Sequence, residues 1–422
     1  MTILFSFIAG LLAISGLPLF VLMCLIALFA FTQVGIDTSA SSIAIYSLAA
    51  QPTLISIPLF TFAGQLMAES KSPQRILDLA HSLFGRLPGG VAIVCLVVCA
   101  FFTAFTGASG VTIIALGGIL YPVLRDEKYS DAFTLGLIST AGSLGLLFPP
   151  SLPIILYGLV ARVEISEIFK AGLIPGILLI VVLSAYALYK APKKDPADLK
   201  KLPPFSMREV VMAVKGSFWE LLLPIGILVG IYGGYTTAQE AAACTAVYVL
   251  IMECFIYRDI KLNQLPKVVV DSSALVGAIL LILCCATAVT DFVIDEEIPS
   301  KILMVIKENI HNKYAFLIFL NIFLLIIGCM MDIFSAIIVV VPLIVPISKE
   351  YGIDPVHLAI IFLTNLEIGY ITPPVGINLF ISSFRFKKPI TELYVASLPF
   401  LLCLIFALLI ITYIPSLVLF WF

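Results

Sequence analysis

The stretches Gly145-Leu-Leu-Phe-Pro149-Pro150 and Gly369-Tyr-Ile-Thr-Pro373-Pro374 share the pattern G-x-x-x-P-P. Residue numbers 145 and 369 differ by 224, as do 150 and 374, and the same offset carries Pro122 onto Pro346. Upstream, Ser72-Pro-Gln-Arg-Ile-Leu77 pairs with Ile298-Pro-Ser-Lys-Ile-Leu303 at an offset of 226. The chain therefore repeats itself once, and each copy holds two consecutive prolines inside an apolar run. Proline lacks an N–H and its ring clashes with the carbonyl four residues back, so a Pro-Pro pair breaks a helix and frees several carbonyls. A kink is the plain reading of a single proline. A glycine-flanked pair in both halves predicts a site, because irregular backbone at membrane depth is tolerated only where it is buried in protein or lines a wet cavity. Carriers made of two repeats of opposite topology place such discontinuous helices around the substrate near the midplane.

Composition puts these breaks in a bilayer. Of 422 residues, 61% are hydrophobic and 12% charged, and the mean hydropathy is +1.15, too apolar for a water-facing surface. Continuous runs such as Val91–Phe105 and Ala396–Ile414 suit spanning helices and lack the alternation of a membrane barrel. The formal charge of −2 comes with no basic tail or stripe, so no nucleic-acid partner is implied. Thr2–Ala30 lacks the positive start and small-residue close of a secretory signal and is expected to be retained. The nine cysteines lie in or beside apolar runs, where a thiol acts as a small hydrophobe; Cys95 and Cys99, one turn apart, have no clustered histidine to suggest a metal. The expected class is an all-α polytopic membrane protein, with a first membrane repeat over 1–190, a linker over 191–215 and a second repeat over 216–422. The lysines and arginine between Lys190 and Lys215 place that linker in the cytoplasm.

Polar residues gather at the breaks: Ser139, Thr140, Ser143 and Ser151 in the first half, Thr364, Asn365, Glu367, Thr372 and Asn378 in the second. Most are neutral oxygen donors, which suit a hard cation such as sodium. Asp332 follows Gly328-Cys-Met-Met in an apolar stretch; an intramembrane carboxylate is costly unless it faces an ion or cavity, though a capping Asp is the structural alternative. Its counterpart at the 224 offset is Ala108, beside Gly107 and Ser109. Thr237 followed by Glu240 reads as a capping box, and Glu220 beside Trp219 is assigned no role. Ala132 to Ala161 and Tyr351 to Ser383 contain no Lys or Arg, so an anion there would rely on backbone N–H groups, helix dipoles and hydroxyls.

Motifs spread over nearly the whole chain resemble the large membrane subunit of tripartite ATP-independent periplasmic (TRAP) transporters. They include Gly16-Leu-Pro18, Ile57-Pro-Leu-Phe-Thr-Phe-Ala-Gly64, Gly85-Arg-Leu-Pro-Gly-Gly90, Phe148-Pro-Pro-Ser-Leu-Pro153 and Ala171-Gly-Leu-Ile-Pro-Gly176. Most specific is Gly352-Ile-Asp-Pro-Val-His357, followed by Asn365-Leu-Glu-Ile-Gly369 and Thr372-Pro-Pro-Val-Gly-Ile-Asn378. The resemblance implies two inverted repeats with re-entrant hairpins and broken helices, moving as an elevator in a bacterial or archaeal inner membrane among its lipids. It implies sodium as coupling ion, no other cofactor, and a small organic anion delivered by a periplasmic substrate-binding protein, with a small four-helix membrane subunit as partner. On this resemblance, sodium is expected at Gly107, Ser109, Ser143, Gly145, Pro149, Gly328, Asp332, Asn365, Gly369, Thr372 and Pro373. Substrate is expected at Ser151, Thr372 and Asn378. The chain departs from the family in Thr106-Gly-Ala-Ser-Gly110, where a Ser-rich run ending in Ala-Asp is usual.

Three rivals remain on sequence. A stand-alone sodium/dicarboxylate-type carrier shares the repeat and the breaks. A passive channel fits capped ion pockets poorly. An intramembrane serine protease would use Ser109 in Gly107-Ala-Ser-Gly110, but a serine nucleophile needs a positioned base. His81 and His311 read as lying in polar connectors and His357 at a helix start, so no histidine suits.

Overall fold

In a computed structural model the residues described are 19–35, 50–84, 89–192 and 207–422, with isolated positions at 11 and between 35 and 50. The motif Gly16-Leu-Pro18 and residues 85–88 lie outside them, as do 193–206 of the expected linker. Before that gap run α1 (Leu19–Val34), α2 (Ser56–Glu69), α3 (Ser72–Phe84), α4 (Gly90–Thr106), α5 (Ser109–Asp126), α6 (Asp131–Ala141), α7 (Leu152–Ala161) and α8 (Ile165–Tyr189). After it come α9 (Met207–Gly216), α10 (Phe218–Tyr232), α11 (Ala238–Ile251), α12 (Leu265–Asp295), α13 (Ile298–Asn309) and α14 (Lys313–Met330). The chain closes with α15 (Ile333–Glu350), α16 (Pro355–Gly369), α17 (Ile377–Phe386), α18 (Ile390–Tyr413) and α19 (Pro415–Val418). No strand occurs among the described residues. Among the described residues six helices are long and apolar enough to cross a membrane, and counting each of two bent pairs as one span raises the number to eight.

Local chemistry sets the boundaries. Gly107, at φ +63°, ends α4 in the left-handed conformation that favours glycine. Ser130 caps α6 by accepting from the Phe133 N–H, and Asp354 caps α16 by accepting from Val356 and His357 ahead of Pro355. The expected capping box of Thr237 and Glu240 opens α11. Two sequence expectations are corrected: the end of the supposed linker is helical, forming α9, and His81 sits inside α3 rather than in a connector. Both helices are amphipathic, and their polar faces make them read as connectors in a hydropathy pattern.

Helices α4 and α5 form a re-entrant hairpin. Gly89, before α4, packs against Leu188 and Ala191 at the end of α8 and against Tyr129 just beyond α5, so both hairpin ends share one face. Helices α14 and α15 form a second hairpin: Tyr351 stacks on Phe316 with centroids 4.2 Å apart, and the Lys313 amine donates to the Gly352 carbonyl at 2.7 Å. Helix α18 joins the two bases. Lys388 before it pairs with Asp131 at the first hairpin at 2.6 Å, while Tyr413 at its end lies 6.2 Å from Tyr314 of the second. Twenty-four helical residues span about 36 Å, so the hairpins enter from opposite faces and the repeats are inverted.

The candidate transport site at the two breaks

Each hairpin is followed by a broken helix. The chain from α6 through a short 3₁₀ turn (Leu144–Leu147) to α7 bends by 47° at Pro149-Pro150. The second break separates α16 from α17 at Tyr370–Gly376, and both Pro-Pro peptide bonds are cis. The 224 offset holds in three dimensions. Ala108 and Asp332 are the residues preceding α5 and α15, and Pro122 and Pro346 occupy the same step inside them.

Glycine brings hairpin and break together in both repeats. A Cβ on Gly145 would overlap the backbone of Ala100 and Ala104, and one on Gly369 would overlap the backbone of Gly328, the 224 counterpart of Ala104. A Cβ on Gly107 would meet Leu152 at 2.7–2.9 Å, so the first tip seats directly on the restarted helix α7. Thr103 donates to the Gly142 carbonyl at 2.8 Å and lies 2.6 Å from the Thr112 hydroxyl, tying both arms of the hairpin to the first break.

The breaks also meet each other. Buried Asn378 accepts from the Ser109 hydroxyl at 2.7 Å and donates to the Ser139 carbonyl at 3.1 Å, and Ser139 donates to Ser382 at 2.7 Å. The second tip is held by Gly376 N–H donating to the Cys329 carbonyl at 3.0 Å and by the Tyr370 hydroxyl accepting from Ile333 N–H at 2.8 Å. Ser109, Asn378, Gly328 and Gly369 are thus assembled at the tips. The Ser109 hydroxyl is engaged by an amide, not a histidine, and His357 bonds instead to the Ile411 carbonyl at 2.9 Å.

Other expected residues are turned elsewhere. Asp332 caps α15, accepting from the Ser335 N–H at 3.0 Å and its hydroxyl at 2.5 Å. Asn365 donates to Asn321 at 2.8 Å and to the Ile361 carbonyl, and Asn321 donates on to Thr412 at 3.1 Å. Ser143 bonds back to the Thr140 carbonyl at 3.2 Å and Thr372 to the Ile368 carbonyl at 2.9 Å, while the Ser151 hydroxyl and the Asn365 side-chain oxygen are buried without a hydrogen-bond partner. Pro149 lies within the first break and Pro373 within the second. Arg125 and Arg385 are engaged away from the breaks: Arg125 donates to the Tyr129 carbonyl, and Arg385 donates to the Ile114 carbonyl at 2.9 Å, covering Gly118.

Two features went unassigned in the sequence. Glu367, fully buried in α16, has both carboxylate oxygens without a hydrogen-bond partner; its place two residues before Gly369 was the available signal. Glu220, given no role, belongs to a buried ionic cluster centred on Arg75 of α3. That guanidinium contacts Glu220, lies 2.5 Å from Asp259 and 3.3 Å from Glu253, and sits 3.7 Å above the Tyr257 ring. Ser72 donates to Glu253 at 2.6 Å and to Glu220 at 3.1 Å. Burial works against the Arg75 charge, but Asp259 and Glu220 outweigh it and raise its pKa above the ordinary arginine value.

The family model described as "Tripartite ATP-independent periplasmic transporter, DctM component" matches residues 4–417. The C4-dicarboxylate TRAP transporter large permease protein DctM of Pseudomonas aeruginosa is 37% identical over 86% of this chain and 84% of its own length. The isethionate TRAP transporter permease protein DctMQ of Oleidesulfovibrio alaskensis is 33% identical over 99% of this chain and 66% of its own length. The ectoine/5-hydroxyectoine large permease UehC of Ruegeria pomeroyi is 33% identical over 87% of this chain and 85% of its own. Among solved structures, the YdaH transporter of Alcanivorax borkumensis superposes with a TM-score of 0.64 at 14% identity, covering 96% of this chain and 98% of that one, a likeness of fold alone. The chain is an inner-membrane permease and not an enzyme: it belongs to the DctM component family of tripartite ATP-independent periplasmic transporters.

Proposed function

We propose that this chain is the large membrane subunit of a sodium-coupled importer of small organic anions, divided into two halves at 191–215. The observation that carries the reading is the meeting of two hairpin tips with two helix breaks, supplied with hydroxyl, amide and backbone oxygens and with no Lys or Arg in 132–161 or 351–383. Oxygen donors suit sodium, and helices restarted after a break offer N–H groups and a positive dipole end to a carboxylate. Ser109, Asn378 and the tip backbones are the first candidates for the ions, and Ser151, Thr372 and Asn378 for the anion. In an elevator, α4–α8 and α14–α18 would move against a scaffold of α1, α2 and α10–α12. The contact of Gly64 in α2 with the Phe105 backbone at the first tip lies on that boundary.

The cargo class follows from relatives named for C4-dicarboxylates and isethionate, and the periplasmic binding protein from the family's description. The DctMQ relative extends well beyond this chain's match, in keeping with a small membrane subunit fused to a large one. Reconstituted with such a subunit and a binding protein, the chain should take up succinate or isethionate only with an inward sodium gradient. Equal uptake without sodium at fixed pH would overturn the coupling. Saturable uptake by this chain alone would favour the stand-alone carrier.

A further inference from the structure

A cavity of about 290 Å³ lies between α12 of the scaffold and the α7 and α15 helices. Arg162, which ends α7, and Lys349, in the last turn of α15, line it together with Asp291, Thr287 and Thr290 of α12. Both side chains are exposed, and neither makes a side-chain hydrogen bond or close ion pair with any described residue. Their face follows from connectivity. Helix α8 starts three residues after Arg162 and runs 25 residues, about 37 Å, to Lys190 at the linker. Arg162 therefore lies opposite the linker, on the face that a cytoplasmic linker makes periplasmic. Along α15 the lining continues from Lys349 to Ile338, about 16 Å at 1.5 Å per residue, and ends six residues short of Asp332 at the second tip. The mouth is charged and the floor, with Val341 and Leu283, is apolar.

We propose that this cleft is an entry vestibule for the anionic cargo, in which Arg162 and Lys349 hold a carboxylate on its way from the periplasm to the second tip. The inference rests on the organic-anion reading above. The breaks themselves carry no basic side chain, so a charged cargo needs attraction from outside them. Among the lining residues two cations face the single carboxylate of Asp291, a positive balance that Asp295, next to Asp291 on α12, reduces without lining the cleft; low-dielectric walls focus such a field and raise local anion concentration. Asp291 stands on the scaffold wall while both cations stand on transport elements. An arriving carboxylate would therefore compete with Asp291 for Arg162.

The test places a cysteine at Thr290 in a background without the native cysteines, with the whole transporter in right-side-out vesicles. An anionic methanethiosulfonate (the ethylsulfonate) and a cationic one (the trimethylammonium) are then compared as probes. The anionic reagent should react faster, its advantage should drop about tenfold in R162Q/K349Q, and millimolar succinate or isethionate should slow it. R162K/K349R should keep the advantage, which separates lost charge from lost folding. A cationic preference, or a ratio indifferent to R162Q/K349Q, would overturn the vestibule. If the cargo were not an organic anion, the reagent ratio would persist while neither succinate nor isethionate was taken up. In uptake assays R162Q/K349Q should raise KM with little change in kcat.

Discussion

The amphipathic helices α3 and α13 occupy matching places in the two repeats, yet they are fastened in opposite ways. Arg75 of α3 is surrounded by Glu220, Glu253 and Asp259, two of them fully buried, which ties the first repeat to the hairpin-like pair α10–α11 of the second. Its counterpart at the 226 offset, Lys301 of α13, reaches among the described residues only Glu296, at 3.7 Å in solvent. The duplicated chain kept the breaks and tips alike while its two faces diverged. On the linker side the connecting helix is anchored, and on the other side it is attached through a screened surface pair and through packing.

The sharpest way to break this contrast is to remove the cations. Arg75→Ala leaves three carboxylates facing one another, and breaking a buried pair in this way costs about 3–5 kcal/mol. Lys301→Ala should cost less than about 1 kcal/mol. Thermal unfolding of the two variants in detergent measures the difference, and equal losses would erase the asymmetry. A smaller effect probes what the repeats share. Gly145→Ala and Gly369→Ala each push a methyl into neighbouring backbone, and overpacking of this kind costs about 1–3 kcal/mol. Both should cut uptake at near-normal expression, and a silent variant in one half would show that the tip contact is needed in the other half only. The smallest effect concerns the two tips. Asp332→Ala should lose the cap, about 0.5–2 kcal/mol, whereas Asp332→Asn caps equally well. A raised sodium requirement in Asp332→Asn at unchanged stability would therefore assign a role to the carboxylate's charge, and unchanged sodium dependence would leave it a cap.

The breaks were legible because proline acts locally: its missing N–H and ring clash are written at the position where the helix ends, and duplication doubled the signal. The hairpins were expected from the family resemblance alone; the offset matched Ala108 to Asp332 without showing that either sits at a hairpin tip. The bond between Ser109 and Asn378 was not, since it joins residues 269 apart with no periodicity to connect them. The Arg75 cluster was hidden for the same reason, its carboxylates being spread over residues 220 to 259. Asn365 illustrates the converse. Its position beside a break pointed to an ion, but the rotation of α16 turns its amide nitrogen toward Asn321, which in turn donates to Thr412, a direction that sequence spacing alone does not specify.

The residues preceding α5 and α15 are equivalent in backbone position but not in charge. Ala108 offers no side-chain cap, so α5 keeps the full positive end of its dipole, about half an elementary charge, at the first tip. Asp332 spends its carboxylate on α15 and cancels that pole at the second. The core of the protein is thereby electrically asymmetric, with one open positive pole at the first tip and one neutralised pole at the second. An exchange of Ala108 and Asp332 would reverse this internal field while leaving every helix in place.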